Sequence, residues 1–173
     1  TNLPMYKKSK IGIGYLTQET SIFRGLSVED NLISIVQMLN ISKNEEKNIV
    51  DKLIFDFGFI KLRKQCSLNL SGGEKRRLEI ARAMITNPKF LFLDEPFAGV
   101  DPLTVDDIQK IIVNLKNNGI GIFITDHNVR ETLEIIDRAY IIYDGKILFD
   151  GNREELLKNK KAKNLYFGDN FKM

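Results

Sequence analysis

Two adjacent carboxylates, Asp94 and Glu95, follow the apolar residues 90–93 and precede Pro96. In α/β proteins ligands sit at the carboxyl ends of strands, and burying charge is costly without a counter-charge. A hydrated Mg²⁺ suits Asp94, because that ion keeps its waters and takes few carboxylates. Glu95 is then free to orient and deprotonate an attacking water. Taken alone, the pair is equally an acidic start to the next helix. Residues 70–74, Leu-Ser-Gly-Gly-Glu, make a second candidate. Ser71 and Glu74 form a capping box, which explains both without a ligand. Gly72 and Gly73 need another reason, since glycine destabilises a helix by about 1 kcal/mol relative to alanine. They leave N–H groups bare at the positive end of the helix, where a phosphate fits, and the Ser71 hydroxyl adds a donor. His127, the only histidine, follows Thr125-Asp126 and could hydrogen-bond a phosphate oxygen. A lone histidine is ordinarily structural. Gln18, just past an apolar stretch, could bridge a metal or water, although a lone loop glutamine ordinarily does neither.

Alternating strands and helices must position these residues, which indicates an α/β fold. Residues 11–16 read as a short strand, with Gly12 and Gly14 marking tight packing. Ser27 opens a helix to about residue 40, with Asp30 as an approximate capping-box partner. Ser42 and Glu45 open a second, ending near Gly58, with Leu53, Ile54 and Phe57 as its core stripe. Ser71 starts a third, which stops before Pro88. The continuous apolar run 90–93 predicts a strand buried on both faces, as in a parallel sheet, and residues 121–125 predict another. Asp101 and Pro102 cap a helix to about residue 118, and a further helix spans about 128–136. Residues 139–151 read as a β-hairpin turning at Asp144-Gly145. Asn152 caps a last helix before a polar tail.

The chain has 173 residues, 43% hydrophobic and 28% charged, which suits an ordinary globular domain with a real core. A net charge of +3 is too small to argue for nucleic acid. Lys158, Lys160, Lys161 and Lys163 form a charge run that reads as a solvated face. Cys66 is the only cysteine and can build neither a disulfide framework nor a zinc site, which points to a reducing compartment. No apolar run approaches the roughly 18 residues of a membrane span, so any membrane role is expected to run through a partner.

Gln18, LSGGE (70–74), FLFLDEP (90–96), GVD (99–101) and His127 resemble, in order and spacing, the Q-loop, signature, Walker B, D-loop and H-loop of the ABC transporter ATPases. The resemblance spans nearly the whole chain. It implies a RecA-like P-loop NTPase core over residues 1–26 and 87–151. An inserted all-helical signature subdomain would occupy 27–86, with a C-terminal helix and tail at 152–173. It also implies head-to-tail homodimers that hold ATP and Mg²⁺ between subunits, attached to integral-membrane permease subunits at the cytoplasmic face of the bacterial inner membrane. By position, Asp94 and Gln18 would serve Mg²⁺, and Glu95 would be the general base, with His127 and Gln18 as its catalytic neighbours. Ser71, Gly72, Gly73 and Glu74 would meet the nucleotide of the partner, and Asp101 would couple the two sites. Ile22, Phe23 and Arg24 follow the Q-loop, where such subunits receive a coupling helix of the permease.

Residues 12–19, 21–32, 94–102, 124–133, 138–142 and 166–171 are similar to the lipopolysaccharide-exporter branch of the family. Thr17 stands where that branch usually has proline. Branched-chain amino-acid importer ATPases share much of the pattern and are the nearest rival. No G-x-x-x-x-G-K-[ST] stretch is present; Gly145-Lys146 is followed by Ile147. The expectation is therefore an N-terminally truncated ATPase lacking the Walker A strand, loop and helix. Such a chain would be inactive alone, and at most would lend its signature to an intact partner.

Overall fold

A computed structural model describes residues 2–159. The chain divides into two compact units, residues 1–126 and 127–173. The expected features at Lys160, Lys161, Lys163 and 166–171 lie outside the described residues.

The first unit holds a parallel sheet in the order β1 (Ile13–Leu16), β2 (Phe90–Asp94), β3 (Gly121–Thr125). Helix α1 (Met5–Lys10) precedes it, where the sequence reading had no element. Its end explains why β1 starts at Ile13 and not at residue 11: Ile11 caps α1, and Gly12 turns the chain at φ +96°. Close packing of Gly14 is as expected, since a Cβ there would lie 2.9 Å from Leu91 Cδ1. Between β1 and β2 come α2 (Val28–Val36), α3 (Lys43–Asp56) and α4 (Gly72–Met84). Helix α5 (Pro102–Asn117) makes the crossover from β2 to β3.

The caps follow their sequence signals. Ser27, Ser42, Ser71 and Asp101 each accept the backbone N–H three residues on, and at Ser42 and Ser71 the capping box is complete. Helix α2 is shorter than expected because its last turn tightens into a 3₁₀ turn, residues 37–39, and ends at left-handed Asn40. Behind the α2 start, Glu29 is buried and takes both Arg63 and Lys64. The hydrogen bond from Arg63, then that from Lys64, holds its carboxyl below the usual glutamate range.

The strands depart from expectation. Leu16, Leu91 and Leu93 are fully buried on one face, but Phe90 is 57% exposed and Phe123 is 52% exposed on the other. Neither β2 nor β3 is therefore buried on both faces. The reason is geometric: side chains alternate along a strand, so the leucines and the phenylalanines stand on opposite faces. Tyr15, Phe92 and Phe123 stand in register across the uncovered side, with the two phenylalanine rings 5.4 Å apart.

The second unit consists of α6 (Val129–Leu133), β4 (Arg138–Tyr143), β5 (Lys146–Asn152) and α7 (Arg153–Lys158). The two strands form the expected hairpin, with Asp144 and Gly145 both at positive φ. Asn152 caps α7 as expected. Leu133, Ile141, Phe149 and Leu156 make its core, and α6 is shorter than the sequence suggested.

Candidate functional site

Strand β2 delivers Asp94 to its carboxyl end, where both carboxylate oxygens are held by hydroxyls. Tyr15 donates to one at 3.1 Å and Thr125 to the other at 2.6 Å. Each donor comes from the neighbouring strand, so the parallel register itself builds this grip. The Asp94 hydrogen bond in turn holds the Tyr15 phenol above its ordinary pKa. Hydroxyls orient a carboxylate without cancelling its charge, so Asp94 stays suited to a cation.

Glu95 leaves the strand in a left-handed conformation, φ +45°, which is unusual for a residue with a side chain. Its N–H donates to Thr125 O at 2.7 Å, and Gln18 Nε2 donates to its Oε2 at 2.8 Å. Such backbone strain persists only where the surroundings over-determine it. Here they do: Arg76 of α4 donates to Asp94 O, Glu95 O and Pro96 O. The expected residues Gln18, Asp94 and Glu95 thus converge, and Arg76, Tyr15 and Thr125 join them unannounced. Arg76 sits amid other charged helix residues, so only its burial singles it out.

Among the described residues no group of three or more His, Cys, Asp or Glu could hold a metal. Asp94 and Glu95 could not sequester an ion by themselves. They fit Mg²⁺ arriving with phosphates and water as its remaining ligands.

Ser71 and Gly72 are exposed at the start of α4, while Gly73 is buried against the first turn of α5. A Cβ on Gly73 would lie 1.9 Å from Thr104 Cγ2, and one on Gly72 would lie 3.0 Å from Gly99 O. Glu74 folds back on Ser71 N at 2.8 Å. Asp101, whose carboxylate caps α5 through Thr104 N at 3.1 Å, lies on this same packed corner. The hydrogen bond from the Thr104 hydroxyl, and after it that from the Thr104 backbone, hold its carboxyl below the usual aspartate range.

Of the three residues expected to face a membrane partner, Ile22 is corrected: it is only 7% exposed and belongs to the core. Phe23 and Arg24 remain at the surface, with Arg82 stacked 4.7 Å over the Phe23 ring. Buried Asn31 pins the segment, accepting from Phe23 N and donating to Phe23 O and Ser67 Oγ. His127 begins the second unit, is exposed, and accepts Val129 N–H at its carbonyl.

Comparison with known proteins bears on the family and the fold. The ABC transporter family profile matches residues 2–98, more than half of the chain. An uncharacterized ABC transporter ATP-binding protein of Rhizobium meliloti is 50% identical over all 173 residues, which cover 64% of its length. A probable ABC transporter ATP-binding protein of Azorhizobium caulinodans is 49% identical, with 62% of its length covered. The lipopolysaccharide export system ATP-binding protein LptB of Haemophilus influenzae is 48% identical over 99% of this chain, covering 71% of that protein. Among solved structures, the ADP conformation of an ATP-binding cassette of an ABC transporter superposes at TM-score 0.82, with 27% identity over 98% of this chain and 73% of its own. The chain spans less than two thirds of the length of the two rhizobial relatives. The chain belongs to the ABC transporter family of ATP-binding proteins.

Proposed function

We propose that the protein is the ATP-hydrolysing subunit of an ABC transporter, and that it drives lipopolysaccharide from the inner membrane toward the outer membrane. The observation that carries the hydrolytic reading is the division of labour between adjacent carboxylates. Asp94 is gripped on both oxygens by hydroxyls, whereas Glu95 is set at a strained turn with Gln18 on one oxygen.

In this reading Glu95 accepts the proton of a water that attacks the γ-phosphorus, as the bond to the ADP oxygen breaks. Gln18 fixes the carboxylate while that proton moves. Mg²⁺, held at Asp94 when bound, would supply neutralisation of phosphate charge. His127 would contact the γ-phosphate. Ser71 and Gly72, with Gly73 and Glu74 behind them, would meet the nucleotide of a second subunit in a head-to-tail homodimer. Asp101 would couple the two sites. No helix among the described residues is long and apolar enough to cross a membrane. Attachment to the cytoplasmic face of the inner membrane would run through permease subunits, docked over Phe23 and Arg24. The lipopolysaccharide assignment is supported by the LptB relatives, which match 99–100% of this chain at 45–48% identity.

Glu95→Gln in the natural protein that carries these residues keeps the side-chain shape and removes the base. Turnover should fall by about 10²–10⁴-fold, the range for losing general-base catalysis, with Mg·ATP still bound. Turnover near the wild-type rate would remove Glu95 from that role. Residues 1–173 contain no G-x-x-x-x-G-K-[ST] stretch, so by themselves they should not bind Mg·ATP tightly. A titration giving micromolar affinity would overturn this. Stimulation of turnover by lipopolysaccharide in vesicles holding the permease, against none by branched-chain amino acids, tests the cargo.

A further inference from the structure

Arg76 is 5% exposed and uses all its donors. A guanidinium has five N–H groups in a rigid planar fork. Here Nε donates to Pro96 O at 3.2 Å. One terminal nitrogen, Nη1, donates to Thr17 O at 2.8 Å and Glu79 Oε2 at 3.0 Å. The other, Nη2, donates to Asp94 O and Glu95 O, both at 2.8 Å.

The carbonyls of Asp94 and Glu95 belong to the two peptide planes that flank the Glu95 Cα. Holding both planes on one nitrogen sets φ and ψ of Glu95 together, and this is the residue held at φ +45°. A further carbonyl, of Thr17, belongs to the plane just before Gln18, whose amide binds the Glu95 carboxylate. Arg76 therefore fixes the backbone on both sides of the Gln18–Glu95 hydrogen bond.

Its buried counter-ion, Glu79, is 3% exposed and carries a second contact: its other oxygen accepts Ser21 N–H at 2.6 Å. Arg82, one turn further along α4, donates to Ser21 O at 2.6 Å and covers Phe23. The exposed Phe23 segment and the strained Glu95 turn are thus fastened to the same face of one helix.

We propose that Arg76, clamped by Glu79, is the positioning residue that holds the Glu95 base and the Gln18 loop in one geometry. Through Glu79 and Arg82 it ties that geometry to the Phe23 segment. The proposal rests on the reading of Glu95 as the hydrolytic base, and it names the device that maintains it. Arg76 touches no reacting atom. Its role is orientation, so its loss should appear in kcat and not in nucleotide affinity.

The test is Arg76→Lys in the natural protein. Lysine keeps the charge opposite Glu79 but has three donors on one atom and cannot serve carbonyls on both sides of Glu95. The expected result is a fall in kcat of about 10²-fold, the loss caused by a misplacement on the order of 1 Å, at unchanged KM for ATP. Amide hydrogen exchange at residues 94, 95, 97, 17 and 18 should quicken by about tenfold, the factor for one lost hydrogen bond, while α3 stays as in wild type. Glu79→Gln should give the same pattern, more weakly. Wild-type kcat, a rise in KM that accounts for the whole loss, or exchange quickened evenly over the first unit would overturn the proposal. Should the wild-type protein show no ATP turnover, the hydrolytic reading falls, and exchange alone decides the positioning role. Local loosening at 94, 95 and 97 then supports it and unchanged exchange refutes it.

Discussion

Helices α3 and α4 begin with the same four-residue device. In each a serine Oγ accepts the N–H of a glutamate three residues on, and the glutamate carboxylate accepts the serine N–H. The distances match closely: 3.3 and 3.0 Å at Ser42–Glu45, 3.2 and 2.8 Å at Ser71–Glu74. What differs is the pair enclosed. Lys43 and Asn44 face solvent, whereas Gly73 is wedged against Thr104 and Gly72 approaches Gly99 O. Ligand access was a single sequence-level reason for both glycines. Gly72 is exposed, whereas Gly73 has a different reason in the structure, room for the first turn of α5. A cap motif thus marks where a helix starts and leaves open what the start is used for. That is decided by the element packed against it.

The sharpest way to break this contrast is to put a methyl at equivalent positions. Gly73→Ala forces Cβ into Thr104, and overpacking of this kind costs about 1–3 kcal/mol. Helix propensity alone would favour alanine by about 0.5–1 kcal/mol, so the sign of the measured change discriminates. Asn44→Ala should stay within about 0.5 kcal/mol of wild type, as exposed substitutions do. Urea midpoints for the two variants check both. Adding Thr104→Ser, which removes the clashing Cγ2, should return part of the Gly73→Ala loss. No return would mean the glycine serves something other than this contact.

A smaller effect separates the serines. Ser42→Ala and Ser71→Ala should each lower stability by about 1 kcal/mol, the usual cost of an N-cap. Only Ser71→Ala should also slow ATP turnover in the natural protein. Equal activity in both variants would leave the α4 cap as purely structural as that of α3.

The smallest effect concerns acid. The hydrogen bonds from the Ser42 side chain, then its backbone, hold Glu45 below the ordinary glutamate value. A carboxyl with a lowered folded pKa contributes stability that is present above its unfolded pKa and is lost as pH falls through the folded one. The α3 cap should therefore weaken on acidification through that range. Glu45→Gln should flatten this part of the stability profile, and an unchanged profile would assign the acid sensitivity elsewhere. Buried Glu29, lowered by Arg63 and Lys64, has the same sign and should produce the steeper part.

The residues that announce themselves through local physics were legible without a structure. Serine and aspartate caps, the Asp144-Gly145 turn and the apolar runs of β2 and β3 each depend on neighbours within a few positions, which is the range over which sequence spacing carries geometry. The same holds for Asp94 and Glu95, because adjacency after a strand already places them at its carboxyl end. Burial was less legible. An apolar run states that a strand can be covered on both faces and not that it is, and Phe90 and Phe123 are open on one side. Ile22 stands beside Phe23 in sequence, yet only one of the two side chains reaches the surface.

By itself, then, the sequence determined the α/β order, the starts of the helices with side-chain caps and the identity of the paired carboxylates, all through contacts local along the chain. Only the tertiary structure decided that Glu95 is held in a strained turn, that Gly73 makes room for Thr104, and that Arg76 joins the loop at Thr17 to the end of β2. Those contacts link residues 18 to 59 positions apart. No spacing rule spans that distance; packing in three dimensions brings a guanidinium and four carbonyls to one point.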